Sequence, residues 1–104
     1  MNKYRDKSDF EINKAVAVAR GYKVMSCEES VMAYIDSGYK PFDPCNNPVD
    51  AMPIVIENGI SMVRVNNEWS ARQFNNHCIE VNDSNYYRAA MICFLMMKDA
   101  ENEK

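Results

Sequence analysis

A chain of 104 residues and 12.0 kDa has room for one compact domain, with enough interior to fold without metal or disulfide support. Hydrophobic residues make up 47% and charged residues 26%, ordinary globular usage that excludes disordered, collagen-like and mucin-like chains. The balance of 12 Lys plus Arg against 15 Asp plus Glu, a net charge of −3, excludes a generic binder of nucleic acid or anionic membrane, because phosphate affinity needs clustered excess cations.

In chain order, the first segment, MNKYRDKSDFEINK, is charged and has no apolar core of the signal-peptide kind. Ser8-Asp9-Phe10-Glu11 then matches the S-x-x-E capping box, in which two free amides at a helix start are satisfied reciprocally. Ile12, Ala15, Val16 and Ala19 follow at the spacing of one buried helical stripe, and Gly21 is placed to end the helix. Tyr22 to Ser26 reads as a short strand, whereas Cys27 to Gly38 fits a strand or a helical turn equally. Lys40 to Pro48 holds three prolines and two asparagines, so it reads as a stiff, irregular loop. Asn47-Pro48-Val49-Asp50 has the form of a helix beginning, with Pro53 predicting a kink or restart and Asn58-Gly59 a stop.

Ile60 to Val65, Glu68 to Phe74 and His77 to Val81 read as three antiparallel strands, joined at Asn66-Asn67 and Asn75-Asn76. Trp69 and Ala71 share one face of the middle strand, Ser70 and Arg72 the other. Asp83 or Ser84 can cap a last helix running to about Ala100. Its centre, Ala89 to Met97, is apolar on every side. A helix of that kind is sandwiched between neighbours or covered by a partner chain. Nine apolar residues are about half of the ~20 needed to cross a bilayer, so a soluble, intracellular protein is expected. Residues 98–104 are charged and are expected to fray. The fold class that emerges is α+β: one domain over 1–104, an antiparallel sheet of three or four strands with two or three helices packed on it.

Candidate chemistry is sparse. Cysteines at 27, 45, 78 and 93 form no C-x-x-C pair and, in a reducing compartment, read as free thiols, with Cys93 a small core residue. No close ligand pairs point to a metal, and no cofactor is implied. His77 is the only histidine, beside Cys78, and a Cys/His dyad would have to be assembled across the fold from Cys27, Cys45 or Cys93. With three glycines and no phosphate-cradling loop, the composition points away from an enzyme.

The most unusual surface is the loop from Asp43 to Asp50. Asn46 and Asn47 offer amide donors and acceptors there, Cys45 lies beside them, and the following helix start presents backbone amides suited to an anion. The same residues also make sense as a turn and cap that position the helix. Arg88 could reach a phosphate or carboxylate near that loop, or pair with Asp43, Asp50 or a loop carbonyl to tie the last helix down. Trp69, with Phe74, Tyr86 and Tyr87 nearby, suits a stacking or partner surface as well as a core position. The candidate binding residues are therefore Asp43, Cys45, Asn46, Asn47, Asp50, Trp69 and Arg88, with no catalytic or metal-ligating set.

Three stretches carry a family resemblance: SDFEINKAVA (8–17), FDPCNNPVDAMPIVIENGIS (42–61) and YRAAMICFLMMKD (87–99). With Trp69 between them they resemble the NinX proteins of lambdoid bacteriophages and, more weakly, a broader phage α-β-α sandwich domain group. Members often carry Trp at the place of Pro48 and Pro-Leu at 86–87, and residues 22–41 match nothing firmly. The resemblance implies an accessory protein from a phage genome region near replication and antitermination functions, and no particular reaction. Two expectations follow. The first is a non-enzymatic protein in the host cytoplasm that binds a host or phage protein, with a second copy of the chain as a further partner. The second is a protein that sequesters a small phosphate-bearing, nucleotide-type signal used in host defence.

Overall fold

A computed structural model describes residues 3–74 and 78–102. Helix α1 covers Asp9–Ala19 and starts at the expected box: the Ser8 hydroxyl accepts the Glu11 amide at 3.1 Å, and the Ser8 amide donates to the Glu11 carboxylate at 3.1 Å. Its end is a Schellman turn around Gly21, whose φ of +81° suits a residue without Cβ. The Tyr22 amide reaches back to the Ala17 carbonyl at 3.0 Å and the Gly21 amide to Val18 at 2.9 Å. The buried stripe differs from the expected one. It is Ile12, Asn13, Val16 and Ala17, with Ala19 exposed, because the helix turns Asn13 inward to hold a loop.

Residues 22–41, only partly legible in the sequence, form an antiparallel sheet of β1 (Val24–Cys27), β2 (Ser30–Ile35) and β3 (Gly38–Pro41) in that order. The stretch left open between strand and helical turn is thus strand. Its turns run through left-handed backbone at Glu28, Asp36 and Ser37, none of them a glycine. Val31 and Ala33 point inward and are buried, and α1 packs on β1 and β2.

The irregular loop is shorter than expected and runs from Phe42 to Asn47. Helix α2 (Pro48–Glu57) begins at the Asn47 cap, passes through Pro53 as a single helix rather than restarting, and ends at a second Schellman turn. There the Ile60 amide bonds the Val55 carbonyl at 3.1 Å and Gly59 has a φ of +62°. A meander of β4 (Ser61–Val65), β5 (Glu68–Gln73) and β6 (Ile79–Asp83) follows, the first two joined by Asn66-Asn67, both at positive φ. Trp69, Ala71 and Gln73 share a face with Val81 and Ile79. Ser70, on the opposite face, is nevertheless fully buried, its hydroxyl accepting from Arg72 at 2.9 Å. The expected turn at Asn75-Asn76 and the placement of His77 lie outside the described residues.

Helix α3 (Tyr86–Asn102) explains its own all-round apolarity. It packs on β5 and β6 on one side and on α1 and α2 on the other, so Ala89 to Leu95 are all buried. Its cap is neither Asp83 nor Ser84 but Asn85, whose side-chain oxygen accepts the Tyr87 and Arg88 amides at 2.9 and 3.2 Å. Asp83 serves one step earlier, accepting the Asn85 amide at 2.8 Å. The expected fraying from Lys98 is not seen through Asn102: the Tyr4 hydroxyl donates to Asp99 at 2.6 Å and holds that turn.

Candidate functional site

The start of α1, the Phe42–Asn47 loop and the start of α3 meet in one network of carboxylates and amides. Asn13, on the buried face of α1, is its inner anchor. Its amide nitrogen donates to the Asp43 carboxylate at 2.7 Å, and its oxygen accepts the Cys45 backbone N–H at 3.0 Å. Around this anchor the loop closes on itself. The Asp43 carbonyl receives the Asn46 and Asn47 amides at 3.0 and 2.8 Å, and the Asp43 N–H donates to the Asp50 carboxylate at 2.9 Å. Asn47 spends its side-chain oxygen on the Val49 amide, the usual work of a helix cap.

Asn46 and Asn85 tie this loop to the rest of the site. The Asn46 side chain donates to Asp9 at 3.2 Å and to Asp43 at 3.1 Å, while the Asn85 side chain donates to the Cys45 carbonyl at 2.9 Å. Arg88 sits behind Asp9. Its guanidinium donates to Asp9 at 2.6 Å, to Asp83 at 3.2 Å, and to the carbonyls of Arg5 and Lys7 at 3.0 and 2.6 Å. Asp9 is thus the link between Arg88 and the loop.

Of the residues singled out in the sequence, Asp43, Cys45, Asn46, Asn47 and Asp50 share this loop and Arg88 is joined to it through Asp9. Arg88 pairs with neither Asp43 nor Asp50 directly, because Asp9 and Asp83 take its fork first. Trp69 makes its contacts elsewhere, edge-to-face with Tyr86 at 4.9 Å and beneath the Arg64 guanidinium at 5.2 Å. Four residues of the network were not among the candidate binding residues: Asn13 and Asn85, Asp9, which was read only as part of the capping box, and Asp83, read only as a helix cap. Asn13 lies outside the stripe read from the sequence, and its burial appears only in the structure.

The chemistry available is limited by this mutual engagement. Cys45 is fully buried, and burial, reinforced by the Asp9 carboxylate, pushes its thiol up to about 12, far from nucleophilic. Cys93, in the core, is pushed up to about 12 by burial alone. The amides at the start of α2 that could have met an anion are taken by Asn47, the Val49 N–H by its side-chain oxygen and the Asp50 and Ala51 N–H groups by its carbonyl, while the Asp50 carboxylate accepts the loop amide of Asp43. Among the described residues no group of three His, Cys, Asp or Glu is arranged to hold a metal ion.

In front of the network lies an open cleft of about 520 Å³ between the start of α1, the β1–β2 turn and the loop. Its walls carry Phe10, Val31 and Phe42, and its charged groups are Asp9, Glu29 and Asp43. Among the described residues no lysine or arginine lines it. Among the described residues, no helix is long and apolar enough to cross a membrane.

Compared with known protein families, residues 3–98 match the model described as "Bacteriophage P22, NinX". No curated protein matches the chain.

Proposed function

The chain belongs to the NinX family of bacteriophage proteins, and from that premise we propose that it is an accessory protein that acts in the cytoplasm of the infected host, without catalysis, by binding a host or phage protein. The observation that supports this reading is the state of Arg88. Its donors are committed to two carboxylates and two main-chain carbonyls of its own chain, and among the described residues the charged groups lining the cleft beside it are all acids. A site so arranged neither activates a nucleophile nor holds a phosphate.

The alternative, sequestration of a nucleotide-type signal, draws support from the size of the cleft, which falls in the ~300–1,000 Å³ range of small-ligand sites. Charge argues against it, since three carboxylates would face the ligand's phosphate in place of cations.

Two measurements decide. Affinity capture from infected-cell lysate, with mass spectrometry of proteins and co-purified metabolites, is expected to return a protein at near-stoichiometric yield that rebinds when both components are pure. A nucleotide panel is expected to leave the melting temperature unchanged. A co-purified nucleotide, or thermal stabilisation by any member of the panel, overturns the proposal in favour of sequestration, and turnover of a substrate overturns it in favour of an enzyme.

A further inference from the structure

We infer that the cleft between α1, the β1–β2 turn and the Phe42–Asn47 loop receives an arginine-bearing segment of the protein partner. This inference rests on the proposed binding role and specifies the partner's chemistry.

Three observations lead to it. The first is unmet charge. Asp43 is half-buried and receives only amide hydrogens, from Asn13 and Asn46, so its negative charge faces no cation of this chain among the described residues. Glu29, exposed at the opposite lip, likewise has no ion pair among the described residues, and Asp9 must share the Arg88 guanidinium with Asp83. Keeping a carboxylate partly dehydrated without a counter-charge is costly, and an incoming cation relieves that cost. The second is shape. About 520 Å³ exceeds what one ion fills and accommodates a side chain with its flanking backbone. The third is the apolar wall of Phe10, Val31 and Phe42. An aliphatic stem can lie along such a wall while its charged head meets the carboxylates, and the half-buried ring of Phe10 attracts a cation.

Arginine fits this combination better than lysine. Its planar fork bridges two separate carboxylates and stacks on rings, whereas an ammonium acts as a single point. The chain already shows the geometry at close quarters, with Arg88 spanning Asp9 and Asp83. The net charge of −3 adds long-range attraction for a basic partner.

A fluorescein-labelled hexa-arginine peptide tests the inference by anisotropy, with ¹⁵N NMR reporting which amides respond. Saturable one-to-one binding is expected, with shifts concentrated at Phe10, Ser30, Asp43 and Asn46. Glu29→Lys, at an exposed turn position, should weaken binding by about tenfold, and Asp43→Asn should weaken it too. Glu68→Gln combined with Glu101→Gln raises the net charge by the same two units as Glu29→Lys but lies elsewhere, and should leave affinity within about twofold. Melting curves of each variant report its folding, and Glu29→Lys keeps the test decisive if Asp43→Asn unfolds. Equal losses in Glu29→Lys and the remote double variant, or shifts spread over the surface, overturn the inference. Displacement of the peptide by spermidine at equal concentration overturns it in favour of a small polyamine. If Glu29→Lys still captures the native chain's partner from infected-cell lysate, the cleft assignment fails while the binding role stands. If the native chain itself captures none, the binding role fails.

Discussion

Arg88 donates to the chain at residues 5, 7, 9 and 83, so one side chain joins the segment before α1, the first turn of α1 and the end of β6 to the start of α3. Its side chain is only 13% exposed, and truncation would leave Asp9 and Asp83 facing each other with no cation between them. Arg88→Ala is therefore expected to destabilise the fold by about 2–4 kcal/mol in urea unfolding. Arg88→Lys should recover less than half of that, since a single ammonium cannot span the four acceptors. The cysteines offer a second test at this scale. Cys45 and Cys93 are buried and Cys27 and Cys78 exposed, so an aromatic disulfide reagent at pH 8 should titrate two thiols quickly and the other two only on unfolding. The two buried thiols ionise at about 12 in the native state against an ordinary 9.0, and the hydroxyl of Tyr4, buried against Asp99, is raised as well. Within that window the unfolded chain binds fewer protons than the native one. Stability is thus intact below about pH 9 and is lost progressively as pH climbs towards 12, which melting temperatures across an alkaline series would show.

Among the elements, α2 carries the clearest local conflict. Pro53 has no N–H for the Val49 carbonyl, yet the helix continues past it, with Val49 and Ile56 exposed at 78% and 72%. Pro53→Ala should restore that bond at an exposed position and raise stability by about 1–2 kcal/mol, measurable as a shift in the urea midpoint. How far the elements could be read in advance follows from where their signals lie. The Ser8–Glu11 box, the Asn47-Pro48 start and the Asn66-Asn67 turn are local chemistry, and each appears in the structure. Strand β1 was legible at Tyr22 to Ser26, but β2 and β3 were hard to see because their turns use Glu28, Asp36 and Ser37 at positive φ, where Gly or Asn would have announced them. The site was half legible for a related reason. Asp43, Cys45, Asn46, Asn47 and Asp50 stand out as one polar run, but Asp9 and Asn13 reach them across thirty residues or more. Nothing local distinguishes an aspartate in a first helical turn that will bind a distant arginine from one that serves the helix alone.

For the molecule as a whole, α3 is the shared wall. The second sheet lies on one side of it and α1 and α2 on the other, so the buried faces of Phe94, Met91 and Ile92 belong to one core rather than to separate halves. Phe94, 1% exposed, is the largest fully buried side chain, and Phe94→Ala should remove about 3–5 kcal/mol. With a single core, fluorescence of Trp69 and far-ultraviolet circular dichroism should report the same midpoint before and after that substitution. Separate midpoints would mean that the two sides of α3 come apart independently.

The order of the elements along the chain then has a consequence for synthesis. A ribosome delivers α1, both sheets and α2 before α3, the piece on which α1, α2 and the second sheet lean. Until residues 86–102 emerge, the nascent polypeptide exposes greasy surfaces it has no means of covering, an opportunity for chaperones and proteases alike. A stop codon introduced just ahead of Tyr86 should accordingly yield no smaller working unit, only a product degraded soon after release, which pulse-chase labelling would reveal.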